Sequence, residues 1–433
     1  MTPKAVVRLG AGAFGLVFAA AAILRHRAYE SGRFDLGNMT QAVSSTAHGD
    51  LLSVTDVRGE QISRLGAHFD PILAALAPLW WLWPDPELLL VVQALALAGG
   101  AFPVYRLARK HLGDESAAAA LALAYLAYAP VQWLTLSDFH PVALATPLLL
   151  FAWWQLDEER VWAFALFAGA ALATKEHVGL TVAAMGIWYA VRHRRPRTGL
   201  LIAAAGGVAS LAAVFAVVPH FAAEGSSAFA GRYDEPSLDG RDLAYLSSLL
   251  FPLLFLPFAA PLAALAAVPE LALNVLSSTV TQTSIKTHYA AVAVPALLAA
   301  TVFGAARLGR PRLAYGVLAA SVAGMALLGP LGRVELRADA HDAAARRALR
   351  LVPPSAPVSA TNALGAHLSA RERILSFPVR REATWVVVDE PRLTYLDSLR
   401  PERARPALAE LRRDPAWRLV FSEDGVLVFR RRG

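Results

Sequence analysis

A polytopic α-helical membrane protein of about eleven spans, ending in a small α/β domain, is the architecture this sequence predicts. Of its 433 residues, 56% are hydrophobic and only 17% charged, where soluble chains carry about 25% charge. Apolar runs recur through the first three quarters, many near the roughly 17–25 residues that cross a bilayer. From about residue 331 the composition turns to ordinary polarity, rich in Arg and Pro.

The runs fall near 9–24, 87–104, 117–134, 141–155, 161–174, 178–191, 199–218, 245–259, 262–276, 289–305 and 313–330. The first lacks a small-x-small cleavage step before Arg25-His26-Arg27, so it reads as a span and not a cleaved signal. Orientation follows from Lys and Arg. The loops around Lys4 and Arg8, Arg106 to Lys110, Arg192 to Arg197 and Arg307 to Arg312 are the basic ones, hence cytoplasmic. Parity then makes 71–83, short and Trp-rich, an interfacial or re-entrant helix, and makes 245–276 two spans broken near Pro261. The N-terminus is thereby cytoplasmic and the C-terminal domain exterior.

Three pieces lie outside the membrane in this scheme. Loop 25–70 carries Phe34, Met39 and Val43 at helical spacing and predicts short helices on the membrane surface. Loop 219–244, with Arg232-Tyr233-Asp234-Glu235-Pro236, has the length of a functional lid. The domain 331–433 predicts a helix at 338–350 and strands at 356–360, 373–377, 384–389, 418–422 and 425–430, the last two joined at Asp424-Gly425. The net charge of +7 sits in loops that suit an anionic lipid face, and no nucleic-acid module is present. With no Cys there are no disulfides and no thiol chemistry. Walker, dinucleotide-binding, zinc-protease and serine-nucleophile motifs are absent, and Gly99-Gly100 reads as close helix packing.

The chemistry-bearing residues stand at the ends of apolar runs, all on the exterior side, where ionisable groups near lipid are costly. Asp35 follows the first span, with Gly37 permitting a tight turn. It can take a proton from a hydroxyl within hydrogen-bond reach, or cap a surface helix with Asn38 and Gln41 as polar positions. His68-x-Asp70 and Asp138-x-His140 each precede a proline and a membrane segment. Together they make a candidate ligand set for Mg²⁺ or Mn²⁺, while Asp70 also fits a helix cap. Lys175-Glu176-His177 interrupts two apolar runs; Lys175 suits a phosphate, or a pair with Glu176 inside the bundle. Lys286, His288 and Tyr289 form a second cationic, hydroxyl-bearing edge and Arg232 a third, offering donors to a lipid phosphate. Tyr289 equally fits an aromatic-belt anchor.

As a set, Phe34-Asp35-Leu36-Gly37-Asn38, His68-Phe69-Asp70-Pro71, Ser137-Asp138-Phe139-His140-Pro141 and Lys175-Glu176-His177-Val178-Gly179 resemble the DUF2079 family of predicted bacterial membrane proteins. Ser359-Ala360-Thr361-Asn362-Ala363-Leu364-Gly365 and Tyr395-Leu396-Asp397 resemble its C-terminal region, and His177 departs from a Lys-Glu-Asp pattern. The layout is similar to that of the GT-C superfamily of membrane glycosyltransferases. That resemblance implies a polyprenyl-phosphate-linked sugar as donor, Asp35 as catalytic base and Asp138 as the second acidic position.

The expectation is therefore a GT-C-type glycosyltransferase of the bacterial plasma membrane. It would move a sugar from a polyprenyl-phosphate carrier to an envelope glycan, lipid or protein acceptor on the outer face. Asn38, Gln41, Lys175, Glu176, Arg232, Lys286, His288 and Tyr289 would bind substrate, and a divalent metal would sit at His68, Asp70, Asp138 and His140. A transporter or flippase of a lipid-linked or anionic substrate is the alternative, disfavoured because no repeat relates the two halves. A non-catalytic envelope scaffold is the third reading.

Overall fold

The computed structural model describes residues 1–222, 230–233, 239–394, 397 and 401–432. Asp234, Glu235 and Pro236 of the expected lid, and Tyr395 and Leu396 of the C-terminal motif, lie outside the described residues. The chain forms two compact units. The first comprises Met1–Ala20, Leu65–Ile72 and Val91–Arg333; the second comprises Ala21–Arg64, Leu73–Leu90 and Val334–Gly433. The expected division at 330/331 separates the tail from everything before it. The second unit instead takes in most of loop 25–70, whose Arg33 and Gln41 side chains bond to backbone carbonyls of the tail.

The first unit is helical. Among the described residues, Pro3–Arg27, Glu87–Leu112 and Pro196–Phe221 are each long and apolar enough to cross a membrane, and Glu115–Ala127 with Ala129–Leu136 makes a fourth span bent by 45°. Pro130 is the second residue of the helix after that bend, and Tyr128 at the bend is extended, so the helix cannot run through. Val161–Leu172, Val178–Arg192, Pro261–Val275, Ala293–Arg307 and Leu313–Leu328 are apolar but shorter. Eleven full spans are thus not what helix length and composition give. The hairpin breaks at Pro261 as expected, where non-helical Ala260 precedes helix Pro261–Val275, and breaks again earlier, where Leu254 and Phe255 both take left-handed backbone at φ 52° and 54°. Pro71–Trp80 is short, as an interfacial segment would be.

Helix Val178–Arg192 and helix Pro196–Ala212 fold back on each other through four glycines. Gly179 and Gly186, seven residues apart, meet Gly206 and Gly199, also seven apart, and a Cβ on any of them would strike the facing backbone. Small residues at this spacing let two helices approach to backbone contact, the usual device where lipid removes any hydrophobic drive between them. The outer face of Pro196–Ala212 presents Leu200, Leu201, Val208 and Leu211 unburied, as a lipid-facing helix does. In the Gly99-Gly100 pair only Gly100 is closely packed, under Tyr125, whose hydroxyl donates to Leu97 O; Gly99 faces open space.

Two of the basic loops, around Lys110 and around Arg195, meet at Asp157 and Glu159 within this unit. Lys110 Nζ lies 2.8 Å from Asp157, and Arg195 Nε and His193 Nδ1 lie 3.5 and 3.7 Å from Glu159. Asp157 is buried and also meets His111 Nε2 at 2.8 Å.

The second unit is α/β. Five strands, β3 (Val358–Ala360), β4 (Ile374–Ser376), β5 (Trp385–Asp389), β6 (Trp417–Glu423) and β7 (Val426–Arg431), make one sheet of order β4-β3-β5-β7-β6. β3 runs parallel to β4 and β5, while β7 is antiparallel to β5 and β6. Period-two alternation fills both faces. Val387, Val426 and Val428 pack with helix Ala340–Leu349, and Val386, Val388, Leu427 and Phe429 pack with helix Pro401–Arg413. The β6–β7 turn uses Asp424 and Gly425 at φ 49° and 77°, the two left-handed residues of a tight hairpin. Loop 25–64 holds the helix Asn38–Ala47 and also an unexpected hairpin, β1 (Ser53–Thr55) with β2 (Gln61–Ser63).

Candidate functional site

The expected site residues divide between the units. Asp35, Asn38 and Gln41 belong to the second, and all the others to the first.

In the first unit, segment 68–72 is docked onto 173–176. Glu176 accepts from the Phe69 amide at 3.1 Å through one oxygen and meets His68 Nδ1 at 3.1 Å through the other, while the Ile72 amide donates to Ala173 O at 3.0 Å. Burial raises the Glu176 carboxyl, but Lys175, His68 and His177 outweigh it and hold it well below the usual carboxylate range. His177 turns the other way, its Nε2 2.7 Å from Glu270. Burial depresses this imidazole, yet Glu270 dominates and raises it.

The Ser137–His140 segment is positioned from within the bundle. Gln93, fully buried in an apolar helix, donates to Leu134 O and Ser137 O at 3.1 Å and accepts from the His140 amide at 3.0 Å. His140 Nδ1 donates to Asp138 O at 2.7 Å, and the ring stacks on His288 with centroids 3.7 Å apart. Tyr289 packs against His288 from its own side, 4.2 Å away. Its hydroxyl accepts from Arg232 Nη1 at 3.2 Å and its carbonyl from Asn274 Nδ2 at 2.7 Å. Ser278 fixes Arg232 through the latter's carbonyl.

His288 is the focus of this arrangement. Burial pushes its imidazole well below the ordinary value, and the charges of His140, Lys175, His68 and Arg232 push it the same way. Four basic groups, from segments spread over 164 positions, therefore act on one ring. A neutral ring among basic groups attracts an oxyanion. Lys286 is not part of it; its ammonium lies exposed over the Trp133 ring at 5.7 Å. Asp70 and Asp138 are nearly completely buried.

The expected metal set does not assemble. Among the described residues no three His, Asp or Glu side chains converge as ligands would. His68 is turned to Glu176 and His140 to its own Asp138 carbonyl and to His288.

In the second unit Asp35 stands in a single wide turn, Arg33–Gly37, that leads into helix Asn38–Ala47. Three motif residues hold this turn. Asn38 Nδ2 donates to Phe34 O at 3.0 Å, Asn362 Oδ1 accepts from the Phe34 amide at 3.3 Å, and Asp397 accepts from the Asn362 amide. Gly37 lies against Ser369 and Gly365 against the Arg33 stem, so the turn and helix Asn362–Ala366 pack closely around the Arg33 side chain. Arg33 is fully buried and donates through Nη2 to Thr55 O and Ile374 O, each at 2.7 Å. Burial lowers its guanidinium to about 10. Gln41 is a tie within the fold and not a substrate ligand. Its amide nitrogen donates to Thr55 Oγ1 and Glu372 O and its oxygen accepts the Thr55 amide, and the side chain is buried.

Gln93, Glu270, Asn274, Asn362 and Asp397 are the positioning residues that sequence reading did not assign a role. The available sign was a lone polar residue inside an apolar run, as at Gln93 and Glu270.

The fold is that of two crystal structures of ArnT from Cupriavidus metallidurans. One, in the apo state, is 13% identical, with a TM-score of 0.54 over 97% of this chain and 98% of that one. The other, bound to undecaprenyl phosphate, is 12% identical, with a TM-score of 0.54 over 96% and 97%. The likeness is one of fold. No curated protein matches the chain. The model of predicted membrane proteins called DUF2079 matches residues 25–428, nearly all of the sequence, and the chain belongs to that family.

Proposed function

We propose that this protein is a GT-C-type glycosyltransferase that moves a sugar from a polyprenyl-phosphate donor to an acceptor on the outer face of the plasma membrane. The observation that carries the reading is the stacking of His140 on half-buried His288 at 3.7 Å, beside Tyr289 with its bond from Arg232, where Lys175 and His68 also act on the His288 ring. It lies in a chain whose fold is that of a protein crystallised with undecaprenyl phosphate. In this proposal Lys175 and Arg232 hold the lipid phosphate, and Tyr289, already bonded to Arg232, orients it.

Asp35 acts as the base. The acceptor hydroxyl gives its proton to the Asp35 carboxylate, its oxygen bonds to sugar C1, and the C1–O bond to the phosphate breaks with both electrons leaving on the lipid phosphate. Asp138 is kept as the second acidic position. The N-terminus is assigned to the cytoplasm and the second unit to the exterior, in line with the shared placement of two of the basic loops.

The test is turnover of a panel of polyprenyl-phosphate sugars by the purified protein in lipid, with wild type against Asp35→Asn. Release of polyprenyl phosphate by wild type, reduced by more than about 100-fold in Asp35→Asn, is the expected result. Full turnover by Asp35→Asn removes Asp35 as base. Saturable lipid binding with no turnover of any donor replaces the transferase by the flippase reading.

A further inference from the structure

Away from the site described above, the first unit holds a cavity of about 450 Å³ lined by Arg106, Arg109, Lys110, Trp154, Glu158 and Arg160. Helix Val161–Leu172 begins at this cavity and ends beside Lys175. Its 12 residues separate the two places by about 18 Å along the helix axis. Four cations line the cavity against one carboxylate.

Their partners decide which of them are available. Lys110 is spent on Asp157 and Glu158 at 2.8 and 3.4 Å, and Arg109 approaches Glu115 at 3.6 Å. Among the described residues neither Arg106 nor Arg160 pairs with a carboxylate. Arg106 lies over the Trp154 ring, 5.6 Å from its centroid, which leaves the edge of its guanidinium open. Arg160 is the N-cap residue of Val161–Leu172, and no side chain caps that helix start. The helix dipole therefore adds to the positive potential at the same place. Trp162, in the first turn of the same helix, is 76% exposed, the position of an indole at the level of lipid headgroups.

We propose that this cavity binds the phosphate of an anionic membrane lipid, with Arg106 and Arg160 donating to its oxygens and Trp154 forming one wall. The shared chemistry is a phosphate oxygen pair. The flanking Trp residues and apolar helices favour a lipid headgroup over free phosphate as its source. A zwitterionic headgroup is disfavoured, because its cation would face Arg109 and Lys110.

The experiment uses the full-length protein in neutral detergent, given equal amounts of phosphatidylglycerol and phosphatidylcholine, with bound lipid read by native mass spectrometry. Phosphatidylglycerol should be retained over phosphatidylcholine by about tenfold. The preference should fall to near unity in R106Q/R160Q and persist in part in R106K/R160K. Equal retention of the two lipids by wild type overturns the proposal, as does an undiminished preference in R106Q/R160Q of unchanged elution volume. Should R106Q/R160Q fail to fold, competition in wild type decides. Displacement of phosphatidylglycerol by millimolar inorganic phosphate overturns the lipid assignment, and retention against it supports that assignment.

Discussion

The Gln93 side chain accepts the His140 amide proton at 3.0 Å across 47 positions of sequence, while donating to the carbonyl of Ser137. One buried amide thereby sets both ends of the Ser137–His140 segment. Replacing it by Leu preserves volume and takes the Gln93 partner away from the His140 amide and Ser137 O, while Leu134 O keeps the Ser137 hydroxyl. Gln93→Leu should cost about 1–3 kcal/mol of stability, seen as a lower thermal midpoint, and should cut donor turnover. An unchanged midpoint would show that the segment holds itself in place.

His177 and Glu270 form a nearly buried ion pair at 2.7 Å, at the position where the resemblance leads one to expect Lys-Glu-Asp. His177→Leu leaves the Glu270 carboxylate without its cation and should destabilise by on the order of 3 kcal/mol. The double variant His177→Leu/Glu270→Leu should recover most of that loss in the same unfolding measurement. A double variant no better than the single would mean that the carboxylate has another partner.

Adjacent glycines on one helix give an internally controlled pair. A Cβ at position 206 would come within 2.5 Å of Gly179 O, whereas one at 207 meets nothing within 4 Å. Gly206→Ala should lower the thermal midpoint in detergent. Gly207→Ala should leave it unchanged or raise it, since alanine favours helix by about 1 kcal/mol.

Two histidines of the second unit respond to pH in opposite senses. Burial, with His26 stacked on the ring at 3.9 Å, holds His367 well below its ordinary value. The unfolded chain therefore takes up a proton that the folded one refuses, and stability falls as pH drops below about 6.5. Burial depresses His341 less than its bonds to Asp389 and Asp424 raise it. Its contribution is complete below about 6.5 and disappears as pH climbs through the raised folded value. His367→Gln should flatten the acid side of the stability profile. The loss caused by His341→Gln should be largest below about pH 6.5 and fade as pH rises through the raised folded value. Thermal midpoints across this range check both signs at once.

Asn362 accepts the Phe34 amide, one residue before Asp35. Asn362→Leu should lower turnover without changing retention of the polyprenyl-phosphate donor, while Asn362→Asp, which keeps the acceptor oxygen, should restore much of it. Equal loss in both variants would point to a packing role.

Local features were legible in the sequence, and distant pairings were not. The β6–β7 hairpin and β5 follow from period-two apolar residues and an Asp-Gly step, all within 47 positions. The polar motifs of the first unit were found because ionisable residues at span ends stand out, and five of them do converge near His288 when the ring itself is included. Helical spacing at Phe34, Met39 and Val43 concealed β1 and β2, whose three-residue strands are too short for a pattern. Leu254 and Phe255 break their helix with no glycine to mark it. Gln41 reads as a polar surface position because its acceptors, the carbonyls of 371 and 372, lie more than 300 positions away.

Arg33 illustrates what that separation means during synthesis. Its acceptor Ile374 O is 341 residues further along the chain, so at about 5–20 residues per second the guanidinium waits roughly 20 to 70 s before its site exists. Every intervening membrane segment must be inserted in that interval. The second unit is therefore closed last, by the end of the chain, and a polypeptide cut short before β4 carries an open seam that proteases can recognise.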